Sequence, residues 1–243
     1  MKAMIMSAGK GTRLGEITRS MPKVLVDING KSLLQHAVEY CCSYGFDDII
    51  VNVHYLADMV EEEIKRINAK GFRISVSDER ELLLENGGGL YKARHFFDKN
   101  PFLVYNADIV TDLDLSLLLD LHLEKKALAT LAVRERPGSR FLLTDKDGVL
   151  RGWRNVSTGE EILRADSNEG LKAIGFSSVQ IIDPEIFSYM REGIYTVVDL
   201  YLELAATGRI LTRRFDEGYW FNVGTPESLE NVREFLKSSR TTW

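Results

Sequence analysis

The chain opens with a strand-sized apolar run, Ala3-Met4-Ile5-Met6, that passes without a spacer into Ser7-Ala8-Gly9-Lys10-Gly11-Thr12-Arg13, with Met21-Pro22-Lys23 close behind. Glycine removes the Cβ that would keep backbone N–H groups from turning toward an anion, and two cations, Arg13 and Lys23, can make charge-assisted contacts to phosphate oxygens. A glycine loop of this kind belongs at the carboxyl end of a strand in an open sheet, where such sheets bind ligands.

The following residues alternate between the two hydrophobic periods. Ser32, with Gln35 three residues on, signals a helix start. Leu33, Leu34, Ala37, Val38 and Cys41 share one face of that helix before Gly45 stops it. Residues 49–53 form a continuous apolar strand; Leu56, Val60, Ile64 and Ile67 recur at helical spacing up to Gly71; Phe72, Ile74 and Val76 alternate as in a strand. Further predicted elements are a helix over 90–97 behind Glu85-Asn86-Gly87-Gly88-Gly89, a strand over 102–105 ending at Asn106-Ala107-Asp108, a helix over 115–126 and a strand over 129–133. This β-α alternation predicts an α/β fold with a mostly parallel sheet and helices on both faces.

The pattern changes after Arg134. Strands 141–144 and 149–150 flank Asp145-Lys146-Asp147-Gly148, a hairpin signal. Residues 171–182 form a long strand, Asp183-Pro184 starts a short helix, 197–206 is another helix, 210–215 a late strand, and Thr225-Pro226 opens the last helix. No repeat or flexible linker separates the halves. The expectation is one domain, with residues 1–133 as its nucleotide-binding part and residues 134–243 as a smaller lobe over the same sheet plus the C-terminal helix.

Composition narrows the partners. A length of 243 residues, 44% apolar and 28% charged, supports a sizeable core, and no apolar run reaches membrane-span length. A net charge of −5 gives no basic stripe for nucleic acid. Adjacent Cys41 and Cys42 and the lack of a secretory signal point to the cytoplasm. His54 and His122 read as surface or packing residues. The glycine spacing G-x-G-x-x-x-G is one residue too long for a dinucleotide fingerprint, and the strand ending Asn52-Val53-His54 lacks the acid that would hold a ribose.

Residues 7–14 (Ser-Ala-Gly-Lys-Gly-Thr-Arg-Leu), Pro22-Lys23, Leu84-Glu85-Asn86-Gly87-Gly88-Gly89, Asn106-Ala107-Asp108 and Asn222-Val223-Gly224-Thr225-Pro226-Glu227 together resemble the sugar-1-phosphate nucleotidylyltransferases. Within them the chain is similar to the short bacterial type acting on N-acetylmuramate, mannose or heptose 1-phosphate. The resemblance implies a Rossmann-like fold of the nucleotide-diphospho-sugar transferase type, carrying a smaller mixed sugar-binding lobe. It also implies transfer of a nucleotidyl group from UTP or GTP to a sugar 1-phosphate, with Mg²⁺ as cofactor.

Carried over by motif, Ala8, Gly9, Gly11 and Thr12 would wrap the phosphates. Arg13 would contact the β and γ groups and Lys23 the α group, as the catalytic cations. Glu79 and Gly88 would lie along the base, with Asn106 also in the nucleotide site. Asp108 and Asn222 would ligate the metal, and Gly175 would border the sugar. The chain departs from the family at Glu16, Val24, Asp27 and Ala107, and has Asn222 where an aspartate is common. It also lacks the Glu-Lys-Pro element that holds the sugar phosphate in many relatives. Arg151, Arg154 and Lys172 are candidate replacements, with Lys172 placed beside Gly175 in the sugar site. Two alternatives stay open: a cytidylyltransferase for a non-sugar phosphate such as phosphocholine, and a nucleotide-binding regulatory module without catalysis.

Overall fold

The computed structural model describes residues 1–165 and 169–238. Its strands are β1 (Lys2–Met6), β2 (Asp27–Ile28), β3 (Lys31–Ser32), β4 (Asp48–Val53), β5 (Arg73–Asp78), β6 (Phe102–Asn106), β7 (Ile109–Thr111), β8 (Ala129–Arg134), β9 (Arg140–Thr144), β10 (Leu150–Asn155), β11 (Glu160–Leu163), β12 (Lys172–Ile182), β13 (Ile210–Arg214) and β14 (Trp220–Asn222). The α-helices are α1 (Leu33–Ser43), α2 (Ala57–Asn68), α3 (Glu85–Lys92), α4 (Leu115–Lys125), α5 (Val197–Leu204) and α6 (Pro226–Ser238).

Ten strands form one sheet in the order β11-β10-β9-β12-β6-β1-β4-β5, with β8 pairing β12 and β13. Strands β6, β1, β4 and β5 run parallel. Successive side chains of a strand point to opposite faces, and both faces are covered here. Ala3, Ile5, Ile49 and Val51 pack into one core with α1 and α2, whereas Met4, Ile50 and Val104 pack into another with α3 and α5. That double burial explains why β1, β4 and β6 read as largely apolar runs, whereas β5 at the sheet edge alternates.

The second half extends this sheet instead of lying over it. Strand β12 is eleven residues long, enough to pair antiparallel with β6 through Val179–Ile182 and with β9 through Lys172–Ile174. A third, smaller core, made by Leu14, Val26, Ile28, Val223, Leu229 and Val232, joins α6 to the base of the glycine loop. The C-terminal helix therefore buttresses the loop.

Local signals explain most element ends. The Ser32 hydroxyl accepts from the Gln35 N–H at 3.1 Å, but the Gln35 side chain turns to Glu39, so only half of the expected capping box forms. Two short pairings went unpredicted. β2 and β3 turn at Asn29-Gly30, both at positive φ, a two-residue hairpin signal present in the sequence. β7 pairs antiparallel with β14, over a hundred residues away, which no local pattern announces.

The helix expected over 90–97 instead begins at Glu85 and continues past Lys92 as a 3₁₀ turn, so the glycine triplet lies inside α3 rather than ahead of it. Close packing is the reason. A Cβ on Gly87 would stand 2.7 Å from the Tyr195 ring, one on Gly88 2.0 Å from the Gly193 carbonyl, and one on Gly89 2.6 Å from Glu79 Oε1.

His122 is buried in α4, its Nδ1 3.0 Å from Thr130 Oγ1. Burial pushes its pKa down to about 4 from 6.5, so the folded state holds it neutral while the unfolded chain protonates. Its contribution to stability is complete above pH 6.5 and is lost as pH falls toward 4. The loss should reach roughly 3 kcal/mol. His122→Asn should flatten the pH dependence of urea unfolding in that window.

Candidate active site

The glycine loop leaves β1 between the ends of β4 and β6. The Ser7 N–H donates to Asn52 Oδ1 at 2.7 Å, and the Ser7 hydroxyl donates to the Asn52 carbonyl. Asn52 Nδ2 donates in turn to Glu79 Oε1 at 2.9 Å, and Glu79 Oε2 accepts from the Leu84 N–H at 3.3 Å. This chain of bonds ties the loop after β1 to the start of α3. Glu79 is fully buried, and burial raises its pKa, opposed by the Asn52 and Leu84 hydrogen bonds. Gly89→Ala would force a methyl against Glu79 Oε1 and should cost about 1–3 kcal/mol, read as a lower melting temperature.

A cleft of about 490 Å³ opens above these strand ends, lined by Ala8, Gly9, Gly11, Thr12, Arg13, Lys23, Asn106 and Asp108 among others. Gly9 has no protein atom within 4 Å of a built Cβ and no positive φ. Neither neighbours nor backbone require glycine there, so the space a side chain would fill belongs to the cleft. Gly11 is constrained by the protein itself: its φ is +64°, and a Cβ would meet Lys23 Cβ at 2.7 Å. Gly11 thereby lets the loop close over Lys23.

Lys23 heads a short 3₁₀ turn behind Pro22 and is buried, with Nζ 2.5 Å from Asp108 Oδ2. The other oxygen, Asp108 Oδ1, is buried without a hydrogen-bond partner. The β7–β14 pairing brings Asn222 opposite Ile109, and the Val223 N–H donates to the Asp108 carbonyl at 2.8 Å. Asn222 Oδ1 and Arg13 Nη2 each lie 3.1 Å from where a Gly224 Cβ would stand. The long-range strand pair thus brings Asn222 beside Gly224, Arg13 and Asp108; the last three line the cleft, whereas Asn222 is not part of its wall. Glu16 points away, ion-paired to Arg19 at 2.8 Å on the surface, which removes the apparent conflict of an acid in a phosphate loop.

A second cleft of about 520 Å³ adjoins the first and shares Glu85 and Asn86 with it. Its walls carry Arg136, Arg140, Trp153, Phe176, Ser178 and Asp199. Asn86 Oδ1 accepts from the Val197 N–H at 2.8 Å, locking α3 to the start of α5 at the junction. Glu85, a non-glycine residue at positive φ, sits at this boundary, and Ser178, also at positive φ, lines the second cleft.

Several expected placements are corrected. Glu79 and Gly88 do not line the cleft: Glu79 lies beneath it as a structural acceptor and Gly88 is packed on Gly193, so neither runs along a base. Leu83, Glu85 and Asn86 form the wall there. Lys172 borders a separate cavity with Asp145 and Lys146. Arg151 is paired with Asp145 and Arg154 with Glu161. Gly175 lies under the Arg136 side chain rather than on the cleft wall. Sequence reasoning missed Asn52 and Arg136. The Pro137-Gly138 pair, just past Arg136, was the local hint that an irregular segment follows β8.

Fold and site together define an α/β transferase of the nucleotide-diphospho-sugar transferase type. A solved Bacillus anthracis structure described as a glucose-1-phosphate thymidylyltransferase superposes with a TM-score of 0.81 at 16% identity, covering 100% of this chain and 98% of that one. Residues 2–147 match the family described as "Nucleotidyl transferase". The chain is 33% identical to the N-acetylmuramate alpha-1-phosphate uridylyltransferase of Caulobacter vibrioides, over 93% of each. It is 31% identical to the mannose-1-phosphate guanyltransferase of Yarrowia lipolytica, over 93% of this chain and 61% of that protein. The chain belongs to the nucleotidyl transferase family and is a sugar-1-phosphate nucleotidylyltransferase. Among the described residues no helix is long and apolar enough to cross a membrane.

Proposed function

We propose that the glycine cleft binds UTP or GTP, with UTP favoured, and that the adjoining cleft binds a sugar 1-phosphate. The observation that carries this reading is the open Gly9 position in the same cleft as Arg13, Lys23 and Asp108, continuous with a second cleft. By this reading residues 1–133 hold the nucleotide, and residues 134–243 supply the sugar lobe and the supporting helix. The preference for UTP rests on the relative matched over 93% of both chains.

The donor set fits Mg²⁺: among the described residues a carboxylate oxygen is buried without a partner, and an amide stands on the adjacent strand. Such a site leaves a hard cation to complete its shell with phosphate oxygens and water. Asp108 and Asn222 would hold the ion, which would neutralise charge on the triphosphate. The loop N–H groups and Arg13 hold the phosphate tail, and Lys23 reaches the α group. An ionised oxygen of the sugar phosphate bonds to the α-phosphorus while the bond to pyrophosphate breaks. No side-chain nucleophile or proton transfer is needed, so alignment and charge stabilisation supply the catalysis. A cytoplasmic location accords with Cys41 and Cys42 being free thiols.

The test is pyrophosphate release from UTP, GTP, CTP and dTTP with N-acetylmuramate, mannose and glucose 1-phosphates. UTP should lead, followed by GTP. Preference for CTP or dTTP overturns the base assignment, and silence with every pair overturns the activity.

A further inference from the structure

Arg136 stands just past β8, half-buried on the wall of the second cleft. Its Nε and Nη2 donate to the Phe176 carbonyl at 3.3 and 3.2 Å, and Nη1 donates to the Pro137 carbonyl at 3.2 Å. Its guanidinium carbon lies 5.5 Å from the centre of the Trp220 ring. Among the described residues no carboxylate reaches it, and burial alone depresses its pKa. Arg151, Arg154 and Arg214, in contrast, are each ion-paired. A guanidinium has five N–H donors in a rigid fork, and carbonyl contacts fix its pose without cancelling its charge.

The backbone makes room for this pose. A Cβ on Gly175 would lie 2.6 Å from Arg136 Cγ, and one on Gly138 2.8 Å from Nη1. The Phe176 carbonyl that receives the guanidinium marks the start of the irregularity in β12, where Ser178 adopts φ +61°. Trp220, beneath the guanidinium, is two residues from Asn222 on β14, so the two project from the same face of that strand. Arg136 is thereby held between β12 and β14 on the wall of the second cleft. The carboxylates of the second cleft, Glu85, Glu160 and Asp199, suit the hydroxyls of a sugar.

We propose that Arg136 is the residue that holds the phosphate of the sugar 1-phosphate, positioned by the missing side chain of Gly175. This rests on the second cleft being the sugar site. The phosphate would be gripped by the guanidinium at the wall of the second cleft, which joins the first at Glu85 and Asn86.

Arg136→Gln should raise the KM for the preferred sugar 1-phosphate on the order of 10–100-fold, leaving the KM for the triphosphate and the melting temperature unchanged. Arg136→Lys should recover part of the loss, and Gly175→Ala should reproduce it by displacing the guanidinium. Equal changes in both KM values, or no change, would overturn the assignment. Inorganic phosphate, titrated calorimetrically into wild type and Arg136→Gln, separates this from the functional reading. Loss of one phosphate-binding event in the variant supports the anion site even if the wild type releases no pyrophosphate, an outcome that sinks only the proposed activity. Identical phosphate binding by both proteins overturns the role of Arg136.

Discussion

Lys23→Ala is expected to lower turnover several hundredfold, since a preorganised charge lost from a transition state costs roughly 3–4 kcal/mol. The ammonium is buried under Gly11 and bonded to Asp108 Oδ2, so its pose is fixed before any substrate arrives. The same contact adds a consequence for the free protein. Removing Lys23 leaves both Asp108 oxygens without a cationic partner in a partly buried setting, which should cost about 1–3 kcal/mol of stability. Millimolar Mg²⁺ should restore the melting temperature of the variant more than it raises that of the wild type, because the vacated carboxylate binds the ion more readily. Turnover should not be restored. Wild-type turnover in Lys23→Ala would remove the residue from the mechanism.

Asp108→Asn is expected to abolish detectable activity, and Asn222→Asp to retain it while lowering the Mg²⁺ concentration needed for half-maximal rate. Asp108 is the carboxylate whose second oxygen is buried without a partner, and an amide cannot supply its charge. Asn222, set beside it by the β7–β14 ladder, offers a neutral oxygen. Exchanging that oxygen for a carboxylate adds charge to the site without changing its shape. Pyrophosphate release measured across a Mg²⁺ series in both variants gives the two opposite responses. If Asn222→Ala matches wild type at every Mg²⁺ concentration, Asn222 is only the bend before Gly224.

The glycine-loop cleft was legible because it is local. Ala8 to Arg13 follow one strand directly, Lys23 follows a proline, and Asn106 and Asp108 follow another strand, so each was placed by its distance from an element whose period is visible. All of them line the first cleft. The second cleft was not legible, because the cation on its wall depends on which strands pair. Lys172 and Arg136 are equally plausible in sequence. The register of β12 against β8 and β9 sends Lys172 to another cavity and lays Arg136 across Gly175. Glu79 and Gly88 failed for a related reason: a motif position reveals that a residue is constrained, and here the constraint is packing beneath the cleft.

By itself the sequence determined the alternation of elements, the parallel half of the sheet and the glycine loop at the end of β1, since each follows from hydrophobic period and from the conformational demands of glycine and proline over a few residues. Tertiary structure alone decided that α6 props up the loop through Leu14, that β14 brings Asn222 to Asp108, that the glycine triplet serves helix packing, and that Arg136 faces the second cleft with no counter-charge among the described residues. Each of these joins residues far apart in the chain. Their contacts are set by strand register and core packing, to which local propensity contributes nothing.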